Sequence, residues 1–263
     1  MTILISGGDS FTYGSELLDC PHGKHYSEKT WAPLLADKLN MNYCCTAWPG
    51  YANSAIRRKV MNTVEKYKQE SLFVAVMWSF PNRYEFRFAY DTGQRESPWY
   101  CVNPWTHEQV DPQEHYVQHH HEVLDQHNEA RARAEKLGIS NFARSFVKNI
   151  ATTEYWEVYQ SLLDIVLLQN YLKVRNIPYL FTLVDSSLLN NITMQQPDST
   201  ILTLKKDIDW NNWYFIGENY LGMYEWSRQQ KFPFYTTHPK EIAHEEFIKK
   251  LLTERTKESI ITL

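Results

Sequence analysis

Apolar residues along the chain fall into two alternating kinds of run. The short runs "ILIS" at 3–6, "NYCCTAW" at 42–48, "LFVAVMW" at 72–78 and "YLFTLV" at 179–184 are apolar at most positions, as strands buried on both faces are. Between them, apolar residues recur at helical spacing. Trp31, Leu34, Leu35 and Leu39 follow a Thr30 cap, and Ile56, Val60, Val64 and Tyr67 follow an Asn53 cap. Trp156, Leu163, Val166 and Leu167 mark one face of a long helix within 152–176, and Ile242, Phe247, Ile248 and Leu251 mark a last helix opened by Pro239. Strands of this kind alternating with amphipathic helices predict an α/β fold, a three-layer α/β/α sandwich around a mostly parallel central sheet.

Two stretches interrupt the alternation. Residues 86–150 are polar and rich in His, Gln, Asn and Glu, and residues 186–218 are polar but carry Trp210 and Trp213. Long connections in compact α/β domains are commonly lids or binding elements, so both are expected above the C-terminal ends of the strands. With no internal repeat and no low-complexity linker, the 263 residues are expected to form a single domain carrying two insertions.

Charge and composition narrow the function classes. Lys and Arg total 27 against 31 Asp and Glu, a net charge of -4 with no basic stripe, so nucleic acid is not an expected partner. No apolar run has membrane length, and the N-terminal one is too short for a signal-peptide core, which predicts a cytoplasmic protein without a membrane partner. Cys20, Cys44, Cys45 and Cys101 form no C-x-x-C pair and read as reduced structural thiols. The run His115, His119, His120, His121, Asp125 and His127 has spacing that suits zinc, but a solvated helix accounts for it better, and neither metal nor cofactor is expected.

The chemistry is concentrated at the two ends. In "ILISGGDSFTYG" (3–14) the first strand runs directly into Gly7-Gly8-Asp9-Ser10. A residue just past a strand's C-terminal end in an open α/β sheet faces the ligand crevice, and the glycines allow the close backbone approach that would aim the Ser10 amide and hydroxyl at one substrate atom. A serine hydroxyl needs a base, and His238 in "FYTTHPKEIAH", ahead of the last helix, is the candidate.

These motifs resemble those of the SGNH, or GDSL-type, hydrolases. "GDSFTYG" looks like their first block, "AWPGYANSAI" is similar to the second and "HPKEIAH" to the last, with the closest likeness to an often phage-encoded branch. The resemblance implies a flavodoxin-like sandwich and a serine esterase or O-deacylase acting on an acylated small molecule or a carbohydrate ester. Ser10 would attack the ester carbonyl, His238 would move the proton, and the Ser10 and Gly50 amides would hold the oxyanion. The family's third donor is an asparagine in a Gly-x-Asn-Asp block. Here "MWSFPNRYE" stands instead, with Asn82 or Ser79 as substitutes. The family's aspartate three positions before its histidine is Tyr235 in this chain, so Asp185, Asp207 or Asp209 is left to orient the imidazole. Asp9, Tyr51, Trp78 and Arg83 are candidate substrate contacts. The rival expectation is a catalytically impaired binding protein that keeps the same fold. The sequence carries no signature of oligomeric state.

Overall fold

A computed structural model of the protein describes residues 1–20, 25–88, 99–103, 135–136, 138–150, 153–217 and 219–255. Four strands, β1 (Ile3–Gly7), β2 (Asn42–Cys45), β3 (Leu72–Trp78) and β6 (Tyr179–Leu183), form one sheet in the order β2-β1-β3-β6, with every pairing parallel. Two further strands, β4 (Tyr84–Arg87) and β5 (Trp99–Val102), pair antiparallel as a separate hairpin. The helices are α1 (Ser10–Tyr13), α2 (Trp31–Lys38), α3 (Asn53–Lys66), α4 (Ile139–Asn149), α5 (Glu154–Val174), α6 (Ser187–Asn190), α7 (Ile192–Gln195), α8 (Ser199–Asp207), α9 (Met223–Gln229) and α10 (Glu241–Glu254).

The three layers follow from side-chain alternation in strands that are buried on both faces. Ile5, Val74, Val76, Trp78, Phe181 and Leu183 point to a core built with α3, α5 and Ile201 of α8. Their neighbours Leu4, Phe73, Ala75, Met77, Leu180 and Val184 point to a second core with α2, α9 and α10. This is the α/β sandwich with a parallel sheet that the sequence pattern predicts.

Several local expectations differ from what is observed. The α5 face turned inward carries Val158, Leu162, Ile165, Leu168 and Leu172, whereas Leu167 is 45% exposed. Residues 162–172 are apolar on most sides, so spacing alone does not select the buried face. Asn53 is the first residue of α3 and not its cap, which is Ala52. The 186–218 stretch does not sit wholly above the sheet. After α6 and α7 at the strand ends, α8 packs along α5, and Trp213 then bridges Phe181 in parallel. Within 86–150, the described residues form most of the β4–β5 hairpin and α4, while the histidine run at 115–127 lies outside them. None of the described helices is long and apolar enough to cross a membrane.

Candidate active site

The first strand ends at Gly7, and the chain turns at once into the single helical turn α1. A Cβ on Gly8 would overlap the Thr12 hydroxyl, so the tight exit from the sheet requires glycine there. Asp9 caps the turn, its Oδ1 accepting from the Phe11 N–H at 3.0 Å. Gly14 ends it in the left-handed region (φ 84) and donates its N–H to the Ser10 carbonyl. Ser10 is thereby held at the C-terminal end of β1, 8% exposed.

The last helix delivers the partner. A bridge between Phe234 and Pro239, with the Tyr235 N–H donating to the His238 carbonyl, folds 234–239 into a tight loop ahead of α10. His238 Nε2 lies 2.8 Å from Ser10 Oγ across 228 positions of sequence. Its Nδ1 lies 3.1 Å from Glu16 Oε2 and 2.8 Å from Thr237 Oγ1. The same Glu16 carboxylate accepts the backbone N–H groups of Thr237 and His238, each at 3.0 Å. Burial alone would raise the Glu16 pKa, but the imidazole and these two amides outweigh it and hold the carboxyl at about 2. An ionised carboxylate can only accept, so the bond to Glu16 assigns the ring proton to Nδ1 and leaves Nε2 to accept from the serine hydroxyl.

Glu16 is the residue of this constellation that the sequence does not single out. It sits six positions after Ser10, just past the left-handed Gly14, and is itself in the left-handed region (φ 70), which is uncommon for a residue with a side chain. A carboxylate in the loop that follows Ser10 is the signal available, but nothing local ties it to a histidine 222 positions away. The Asp185, Asp207 and Asp209 side chains do not meet the imidazole. Asp185 Oδ1 accepts from the Ser187 N–H. Asp209 pairs with Lys173 at 2.7 Å, and Gln169 bonds the backbone of both Asp207 and Asp209. Those α5 residues approach the start of β6, the end of the sheet away from Ser10. Tyr235, three positions before His238, directs its hydroxyl to Glu241.

The remaining candidates divide between surface and interior. Gly50 occupies the third position of a Trp48-Pro49-Gly50-Tyr51 turn, with φ 80 and the Tyr51 N–H donating to the Trp48 carbonyl. Among the described residues, neither the Ser10 N–H nor the Gly50 N–H has an acceptor. Asn82 forms no hydrogen bond with Ser10 or His238, and its Oδ1 is buried without a partner. Ser79 is buried, with Oγ 2.7 Å from Asp9 Oδ2. Arg83 Nη1 reaches the same Asp9 oxygen at 2.9 Å and Ser79 Oγ at 3.0 Å, so Asp9 and Arg83 form a buried ion pair beneath the turn that carries Ser10. Trp78 is completely buried against Phe181 and has no surface to offer a substrate. Tyr51 is half-buried against the first core. Trp48 beside the site does reach solvent: its ring is 51% exposed and edge-on to Tyr13, and its backbone N–H donates to the Gly8 carbonyl at 3.4 Å.

No family model matches the chain, and no curated protein matches it. Solved structures are similar over nearly its whole length. A psychrotrophic esterase, EstA, from Pseudoalteromonas sp., inhibited by monoethylphosphonate, is 11% identical, with 96% of this chain and 94% of that one covered at a TM-score of 0.45. A member of the lipolytic G-D-S-L family from Veillonella parvula is 11% identical with 96% and 97% covered (TM-score 0.43). A catalytic mutant of Axe2, an acetylxylan esterase from Geobacillus stearothermophilus, is 11% identical with 96% and 93% covered (TM-score 0.43). Likeness of this degree assigns no activity.

Proposed function

We propose that the protein is a serine esterase of the SGNH type, with Ser10 as nucleophile, His238 as general base and Glu16 as the acid that orients it. The observation that carries this reading is the continuous chain Ser10 Oγ, His238 Nε2, His238 Nδ1, Glu16 Oε2, with links of 2.8 Å and 3.1 Å about one imidazole. His238 takes the serine proton as Oγ attacks the ester carbonyl and returns it to the leaving alcohol. Water then repeats the cycle on the acyl-serine. Glu16 stabilises the imidazolium formed in each half. The unpaired Ser10 and Gly50 amides are the oxyanion donors of this reading. An acylated small molecule or carbohydrate is its substrate class, with exposed Trp48 as the surface on which a sugar ring would stack.

The binding-protein alternative rests on the missing aspartate before His238, and Glu16 answers it by putting a carboxylate on the same ring nitrogen. Hydrolysis of a small activated acyl ester by the purified protein tests the choice. The expected outcome is turnover abolished by Ser10→Ala. Tight ligand binding without turnover, unchanged in that variant, would favour the alternative.

A further inference from the structure

We infer that Arg83 is a positioning residue for the catalytic turn: its guanidinium fixes the Asp9 carboxylate and, through it, the helical turn that holds Ser10 against His238. The inference rests on the esterase reading above.

Asp9 is completely buried, and both of its oxygens are engaged. Oδ1 accepts the Phe11 N–H at 3.0 Å and so sets the direction of α1, while Oδ2 faces Ser79 Oγ at 2.7 Å and Arg83 Nη1 at 2.9 Å. Proton accounting closes this ring. Arg83 can only donate, and the two hydrogens on Nη1 go to Asp9 Oδ2 and to Ser79 Oγ, 3.0 Å away. The single Ser79 hydroxyl proton then goes to Asp9, so this hydroxyl is a strut of the ring and not an oxyanion donor. Ser79 is anchored in turn by Asn53. Asn53 Oδ1 accepts the Ser79 N–H at 2.8 Å, and Nδ2 donates to the Ser79 carbonyl at 3.2 Å and to Ser161 Oγ at 3.0 Å. The catalytic turn is thus tied through Asp9 to the end of β3, to α3 and to α5.

Arg83 also backs the histidine. Its guanidinium lies over the Phe80 ring, 4.8 Å from the centroid. The Phe80 ring meets Phe11 edge-on at 6.4 Å, and Phe11 packs against the His238 imidazole at 4.8 Å. One buried cation therefore supports both sides of the contact between Ser10 and His238. Without it, a fully buried carboxylate is left without its counter-charge, and the turn it caps loses the contact that holds it in place. Such a loss moves Ser10, and a misplacement of about 1 Å at a reacting group costs about 10²-fold in rate.

Steady-state kinetics on a small acyl ester, with fluorophosphonate labelling of Ser10, test this in Arg83→Met and Arg83→Lys. Arg83→Met is expected to lower kcat and the labelling rate about 10²-fold with KM little changed. Arg83→Lys is expected to recover part of the loss. A parental kcat with a raised KM in Arg83→Met would make Arg83 a substrate contact and overturn the inference. Where Arg83→Met does not fold, Arg83→Lys decides: a lowered kcat at parental KM supports the inference and a parental kcat overturns it. A labelled parent with variants labelled equally fast defeats the inference alone, whereas an unlabelled parent defeats the esterase reading and this inference with it.

Discussion

At the scale of single residues, the site turns on Glu16. Its carboxylate binds the imidazole and two backbone amides, so one side chain both orients His238 and pins the loop that carries it. Glu16→Gln keeps the size and loses the charge that would stabilise the imidazolium in the proposed reaction. Turnover is expected to fall steeply, by up to about 10⁴-fold if the acid matters as much as it does in a serine protease. The same change has a stability signature. A carboxyl held at about 2 against an ordinary 4.5 contributes stability that is fully present above pH 4.5 and is lost as pH falls toward 2. Denaturant unfolding should therefore show Glu16→Gln less stable than the parent at neutral pH, with the gap closing toward pH 2. A gap independent of pH would place the Glu16 contribution elsewhere. Ser10 and His238 are legible in the sequence because their motifs are contiguous. Glu16 is not, because its role depends on a left-handed backbone and a distant loop. Trp78 misleads for the opposite reason: an aromatic residue at the end of an apolar run has the same letters whether it lines a cleft or, as here, closes the core.

At the scale of elements, the last helix is bound to the second by a buried histidine. His244 of α10 accepts the N–H of Trp31, the first residue of α2, at Nδ1 with a length of 3.2 Å, which satisfies one of the amides that a helix start leaves open. Trp31 Nε1 then donates to Thr12 Oγ1 in α1. The loop bearing His238 and the turn bearing Ser10 are therefore linked through two helix starts. Burial, with a smaller contribution from the His238 charge, lowers the His244 pKa to about 3. The folded state keeps this ring neutral while the unfolded chain protonates it near 6.5, so the unfolded state binds more protons between those values and stability falls on acidification from pH 6.5 to 3. His244→Asn is expected to flatten that part of the stability profile, measured by denaturant unfolding across pH. An unchanged slope would show that His244 is not the titrating group. None of this is visible in helical periodicity, which marks Ile242, Phe247, Ile248 and Leu251 as inward, although Ile242 is 40% exposed, and is silent on a polar residue among them. The α5 face is equally obscure, since a helix apolar on most sides has no single stripe to read.

At the scale of the whole molecule, the strand order explains why the chain's two ends meet. β1 lies inside the sheet between β2 and β3, so the turn after it opens at the centre of the C-terminal edge, and α10 packs on the same face as α2. That architecture is readable in advance, because strands buried on both faces leave uninterrupted apolar runs and parallel pairing requires helices between them. The polar stretches are not, because hairpin pairing within 84–102 and the path of α8 along α5 are fixed by tertiary packing and not by a local pattern. The central claim is that this architecture brings a nucleophilic serine to its base. Mass spectrometry of the protein after treatment with a fluorophosphonate tests it most directly: the account predicts one phosphonyl adduct, on Ser10, lost in His238→Ala. A folded protein that takes up no adduct, or takes it up at another residue, would contradict it.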